Sequence, residues 1–284
     1  MVVDAHQHFW KIARGDYFWM DDNVAAIRRD ILPEDLMPHA KACGIHATIA
    51  VQAAPTVAET GFLLELAEGN SLIKGVVGWV DLESGHAAKE LKRLSANPLF
   101  KGVRPMLQDI EATDWVLQAS VLSNLSTAAD LGLSFDALIQ PRHLQAIDGL
   151  ARAVPDLRVV IDHCAKPVIA GGSDAGDVWR RNMAHLASHE QIHCKVSGLA
   201  NEYGAGWSAK TLQPIVDHVI SEFGADRIMW GSDWPVLELE GSYADWFDCA
   251  QSMMQQLSDQ ARAAVFGETA SRFYRIDGPG RDNQ

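Results

Sequence analysis

Short apolar runs alternate with longer amphipathic stretches along almost the whole chain. Apolar runs of four to eight residues bounded by turn residues read as buried strands, and spacing of three and four marks the helices between them. The first strand is Val2-Val3-Asp4-Ala5-His6-Gln7-His8. Helices are expected over 32–42, 58–67, 87–94, 115–131, 143–153, 178–189 and 211–223. The remaining strands are expected over 47–52, 75–80, 100–104, 133–139, 157–162, 192–196 and 227–231. The last helix shows the period well, because Leu212, Ile215, Val216, Val219, Ile220 and Phe223 fall on one stripe. Pro33 suits the first turn of the first helix, and Gly44 ends it.

Strand and helix thus alternate through eight strands, which fits an α/β fold of the (β/α)8 barrel class, about 250 residues around one core. A single domain over 1–276 is expected, its last part, 243–274, being closing helices, with a polar tail over 277–284. No glycine-rich phosphate loop follows any strand, which removes the main support for a dinucleotide-binding sheet. The connection after His8 holds Phe9, Trp10, Tyr17, Phe18 and Trp19 and reads as neither strand nor helix. Its rings either cover a pocket or pack on neighbouring helices.

The chain has 284 residues, 48% of them hydrophobic, and a net charge of -13. That charge disfavours nucleic acid and anionic membranes, which attract basic patches, and leaves a small molecule as the expected partner. Neither a basic leader nor a long apolar segment opens the chain, so the cytoplasm is the expected compartment. The four cysteines, Cys43, Cys164, Cys194 and Cys249, lack CxxC spacing and are expected to be structural thiols.

In barrels of this class, active-site groups sit at the C-terminal ends of strands. Successive strand residues face opposite sides, so His6 and His8 share one face. Other polar groups at expected strand ends are Gln52, Asp81, Arg104, Asp162-His163 with Lys166, Ser197, and Ser232-Asp233. Asp81, Ser197 and Lys166 each have a structural reading as helix cap, backbone partner or solvent-facing charge. A carboxylate such as Asp233, after an apolar strand, needs a cationic, metal or hydrogen-bonding partner, and strand one offers histidines.

His6-Gln7-His8, Asp162-His163 with Lys166-Pro167, and Gly231-Ser232-Asp233-Trp234-Pro235 resemble the strand-one, strand-six and strand-eight motifs of the amidohydrolase superfamily, in its amidohydrolase-2 branch. Val77-Gly78-Trp79-Val80-Asp81-Leu82, Lys101-Gly102-Val103-Arg104 and Val196-Ser197-Gly198-Leu199 further resemble its sugar-lactonase members, the type of L-fuconolactonase, L-rhamnono-lactonase and 2-pyrone-4,6-dicarboxylate lactonase. The resemblance implies a hydrolase opening a sugar lactone. Asp233 would activate water beside His6, His8 and His163, and Arg104, Lys166, Gln52, Trp19 and Asp81 would bind substrate. It also implies either one divalent cation, zinc, on His6, His8 and Asp233 with His163 nearby, or a metal-free site. Residues 133–139 contain no histidine, and Lys101 has the opposite strand parity to Arg104, so a two-metal site is not expected. The branch also contains metal-dependent decarboxylases of aromatic or unsaturated acids, the alternative activity, whose metal site should include a strand-five histidine.

Overall fold

In the computed structural model, which describes residues 1–276, eight parallel strands pair in sequence order around a barrel. They are β1 Val3–Gln7, β2 Ala47–Val51, β3 Ile73–Gly78, β4 Phe100–Val103, β5 Ser134–Ala137, β6 Arg158–Ile161, β7 Ile192–Val196 and β8 Ile228–Trp230. The ring closes just beyond β8, where the Asp233 amide donates to the His6 carbonyl and the His8 amide to the Trp234 carbonyl, both at 2.8 Å. The fold is the expected (β/α)8 barrel; the tail expected over 277–284 lies outside the described residues.

The helices that cover the strands are α1 Pro33–Ala42, α2 Val57–Gly69, α3 Ala87–Ser95, α4 Ala119–Asp130, α5 Leu144–Ala153, α6 Gly176–Ala187, the short α7 Leu199–Tyr203, and α8 Ala209–Phe223. The expected stripe on α8 buries Leu212, Ile215, Val216, Val219 and Phe223 against the sheet. The closing segment forms α9 Tyr243–Met253, α10 Asp259–Ala263 and α11 Thr269–Tyr274. From α11, Phe273 and Tyr274 pack with Val3, Val77, Val160 and Met229, plugging the N-terminal end of the lumen. No helix among the described residues is long and apolar enough to cross a membrane.

Two expectations shift. The helix expected over 115–131 breaks at Gln118, which is extended, so Trp115 and Val116 turn into the core before α4 begins. In the connection after β1, Trp10 pairs with Ile31 through two backbone hydrogen bonds of 2.9 Å. Phe9, Trp10 and Tyr17 are buried there, whereas Phe18 is exposed.

One irregularity positions the site. Period two would place Asp4 on the same strand face as His6, but the register of β1 against β2 slips between Asp4 and Gln7. Asp4 therefore turns outward and accepts from Tyr243 of α9 at 2.8 Å, while His6 turns into the lumen toward Lys195.

Candidate active site

At the C-terminal mouth of the barrel lies a cavity of about 180 Å³ whose walls include His8, Trp19, Arg104, His163, Lys166 and Asp233. Backbone geometry aims several of these groups. Asp233 adopts a left-handed conformation with φ 57°, and His163, Cys164, Ala165 and Lys166 form four consecutive left-handed residues with φ between 49° and 60°. For residues other than glycine this conformation costs on the order of 1–2 kcal/mol each, so the surroundings must enforce it. The Trp179 indole donates to the Cys164 carbonyl at 3.0 Å, and the Lys166 amide to the His163 carbonyl at 2.9 Å. Two glycines make room: a Cβ on Gly231 would stand 2.7 Å from the His6 Cβ, and one on Gly198, itself at φ +65°, 2.6 Å from His163 Nδ1.

Three imidazoles surround one carboxylate. Asp233 Oδ1 lies 3.3 Å from His8 Nε2, 3.6 Å from His6 Nε2 and 3.8 Å from His163 Nε2. Burial by itself would raise the Asp233 pKa, but His163, the His8 hydrogen bond and His6 together hold it below the ordinary carboxylate range, so it is ionised. Burial pushes His163 down to about 4 and His6 well below its usual value, so both rings are neutral near pH 7. His8 Nδ1 donates to the Val51 carbonyl at 2.8 Å, which aims Nε2 at Asp233. A proton or a cation between His8 Nε2 and Asp233 Oδ1 joins the two groups across 3.3 Å.

Beneath the imidazoles is a charged floor of residues to which the sequence reading assigned no role. Lys195 is fully buried, its ammonium 2.6 Å from Asp136, 3.0 Å from Asp162 and 3.2 Å from His6 Nδ1. Tyr274 of α11 donates to Asp136 at 2.6 Å. Burial raises Asp136, whereas Lys195, His6 and Arg104 overcome burial at Asp162 and hold it well below its usual value. A signal was present in β7: Ile192, Cys194 and Val196 pack toward the helices and alternate with His193, Lys195 and Ser197, so every second position is polar. Asp4 was also missed as a brace; it accepts the Ser232 amide at 2.8 Å and hydroxyl at 2.6 Å, fixing the turn that carries Asp233.

Not every residue expected at the site reaches the cavity. Gln52 is buried behind it, its side-chain amide donating to the Arg104 backbone carbonyl while its backbone carbonyl accepts from the Arg104 guanidinium, so it braces Arg104. Asp81 lies apart because β3 ends at Gly78; its carboxylate is exposed and accepts the Glu83 amide at 3.1 Å. Trp19 lines the cavity but spends its indole N–H on the Ala53 carbonyl at 2.8 Å, leaving a ring wall. Lys166 lines it too, paired with Glu202 at 3.0 Å. Ser197 sits 2.8 Å from His163 Nδ1. Lys101 points away, its ammonium 3.1 Å from the Arg275 carbonyl.

His6, His8 and Asp233 gather potential ligand atoms within 4.8 Å of one another, as a metal site requires. They fit a cation unequally. A ligating histidine almost always donates its second N–H to an acceptor, as His8 does to Val51. His6 Nδ1 lies 3.3 Å from Asp162 Oδ1 and 3.2 Å from the Lys195 ammonium, while the Arg104 guanidinium stands 3.4 Å from its Nε2.

The lumen histidines, the carboxylate after β8 and the closed barrel define a hydrolase-type α/β barrel, and the chain belongs to the amidohydrolase family, whose model matches residues 3–276. It is similar to the L-fucono-1,5-lactonase of Burkholderia ambifaria, 43% identical over 99% of this chain and 97% of the relative. The L-fucono-1,5-lactonase of Burkholderia multivorans is 34% identical, over 98% of this chain and 97% of its own. Among solved structures, a Burkholderia multivorans amidohydrolase with bound HEPES superposes with a TM-score of 0.91 at 32% identity, covering 97% of this chain and 99% of that one. A zinc-bound form from the same organism gives 0.90. A 2,6-dihydroxybenzoate decarboxylase, at 17% identity and TM-score 0.68, shares the fold alone.

Proposed function

We propose that this chain hydrolyses the lactone of a six-carbon or deoxy sugar acid, L-fucono-1,5-lactone in the first instance, with Asp233 as general base. The observation that carries the reading is an ionised carboxylate ringed by three imidazoles under a small cavity, in a chain 43% identical to an L-fucono-1,5-lactonase. Water beside Asp233 gives up a proton to it as its oxygen attacks the lactone carbonyl. The carbonyl oxygen becomes an oxyanion, which needs donors placed in advance; one such donor is typically worth about 3–4 kcal/mol.

Arg104, Lys166 and His163 face that position from the cavity wall. When the Ser197 hydroxyl donates to Nδ1, neutral His163 carries its proton on Nε2, the side nearer Asp233. Collapse of the intermediate expels the ring oxygen, which takes the proton from Asp233 and leaves the open-chain acid. Gln108 and Asp109 on the wall supply partners for sugar hydroxyls. Were a divalent cation bound, His8 and Asp233, with His6 beside them, would hold it, and it would polarise the attacking water or the lactone carbonyl; the steps above run on the chain's own residues. The cytoplasm is the proposed compartment, supported by four cysteines that are all free thiols.

The decarboxylase reading has no observation in its favour, since β5 offers Ser134 and Asp136 but no histidine. The test is turnover of L-fucono-1,5-lactone, L-rhamnono-lactone and 2,6-dihydroxybenzoate by the wild type and by Asp233→Asn. Lactone opening that the substitution abolishes supports the reading. Decarboxylation without lactone opening overturns it.

A further inference from the structure

Where β2 ends, three successive backbone carbonyls hold three side chains of the cavity wall. The Val51 carbonyl accepts from His8 Nδ1 at 2.8 Å, the Gln52 carbonyl from the Arg104 guanidinium, and the Ala53 carbonyl from the Trp19 indole at 2.8 Å. A trans peptide is a rigid plane whose N–H and C=O point in opposite directions, so whatever holds the N–H also aims the carbonyl. The Val51 carbonyl is aimed by the sheet, because the Gln52 amide in the same plane donates to the Val77 carbonyl at 2.8 Å. The next two planes lie beyond the strand, and one side chain holds both. The Glu59 carboxylate accepts the Ala53 amide at 2.9 Å and the Ala54 amide at 2.9 Å.

Glu59 opens α2 three residues after Thr56, the spacing of a capping box, in which the glutamate turns back to the amide of the cap residue. Half of that box is made, since Thr56 Oγ accepts the Glu59 amide at 3.0 Å. The other half is not: the Thr56 amide donates to the Ala54 carbonyl, and the Glu59 side chain reaches past it and is fully buried. Burying a carboxylate is costly unless donors satisfy it, and here the donors are loop amides rather than the helix's own. We propose that Glu59 is a positioning residue: by clamping the two peptide planes after β2 from behind, it fixes the Arg104 guanidinium and the Trp19 ring on the cavity wall, while the sheet holds His8 independently. The clamp deepens the lactonase reading, in which Arg104 faces the developing oxyanion and Trp19 forms a wall, and it rests on that reading for its effect on turnover.

The test follows the indole N–H signal of Trp19 by NMR in the full chain, assigned by its loss in Trp19→Phe, alongside kcat/KM on L-fucono-1,5-lactone. In Glu59→Leu, which offers neither amide an acceptor, the Trp19 N–H should exchange with deuterium about tenfold faster or more than in the wild type. There kcat/KM should fall by about tenfold to a hundredfold, the scale on which a misplacement of about 1 Å acts. Glu59→Gln keeps one acceptor oxygen and should fall between the two proteins in both readouts. Leu63→Ala, which weakens α2 from its buried face without touching the loop, should leave both within about twofold. An unchanged Trp19 exchange rate in folded Glu59→Leu overturns the proposal, and so do equal effects in Leu63→Ala and Glu59→Leu. Should Glu59→Leu fail to fold, Glu59→Gln decides by the same exchange rate: faster supports the clamp, unchanged overturns it. A wild type that does not open the lactone counts against the lactonase reading alone, and the exchange rate still decides the clamp.

Discussion

The floor and the mouth of the lumen treat charge in opposite ways. On the floor, Lys195 pairs with Asp136 at 2.6 Å and Asp162 at 3.0 Å, Tyr274 donates to Asp136, and the apolar plug of α11 seals them from below. At the mouth, Asp233 stands among three imidazoles at 3.3–3.8 Å with an open cavity above it. A buried charge is tolerable only beside an opposite charge, and on the floor one ammonium faces two carboxylates. The mouth leaves places for water and substrate to fill. Stability should therefore depend on the floor and turnover on the mouth.

The largest departure expected from breaking this division is on the floor. Lys195→Met leaves two carboxylates with one partner fewer and should cost on the order of 3–5 kcal/mol in urea unfolding, because the remaining buried charges lose their counter-ion. A loss under about 1 kcal/mol would mean that the floor is not a paired network.

A smaller effect comes from His193, whose ring lies 4.8 Å from Phe273 in the lower lumen. Burial pushes it down to about 4 from an ordinary value of 6.5. Between those values the unfolded chain binds the extra proton, so its contribution to stability is complete above about 6.5 and is lost as the pH falls toward about 4. Relative to His193→Asn, the wild type should gain up to about 1.4 kcal/mol per pH unit across that window and nothing above it. A gap between the two proteins that stays constant with pH would contradict this. The smallest effect is expected at Asp81, which the fold keeps outside the cavity. Asp81→Asn should leave kcat/KM on the lactone within about twofold; a larger fall would bring its loop into the site.

The contrast also explains what could be read from the chain. His6, His8, His163 and Asp233 were legible because each ends a strand in a short motif, and strand ends are where this fold collects its chemistry. Lys195 and Asp136 sit inside strands, where a polar residue looks like an interruption of an apolar run. The alternation of β7 betrays Lys195, and that of Ser134, Phe135, Asp136 and Ala137 in β5 betrays Asp136. The outward turn of Asp4 was not legible, since it depends on a register slip against β2 that period-two reasoning does not contain. Asp81 was misplaced for a related reason: the apolar run continues through Val80 while the strand stops at Gly78.

The most direct test is kcat/KM on L-fucono-1,5-lactone before and after exhaustive chelation, with Asp233→Asn measured alongside. With Asp233 itself as the general base, the chelated enzyme should keep its activity while Asp233→Asn falls by about 10²–10⁴-fold, the usual effect of losing a general base. Activity that disappears on chelation and returns with zinc would contradict the account, making a bound ion rather than the carboxylate alone the activator of water.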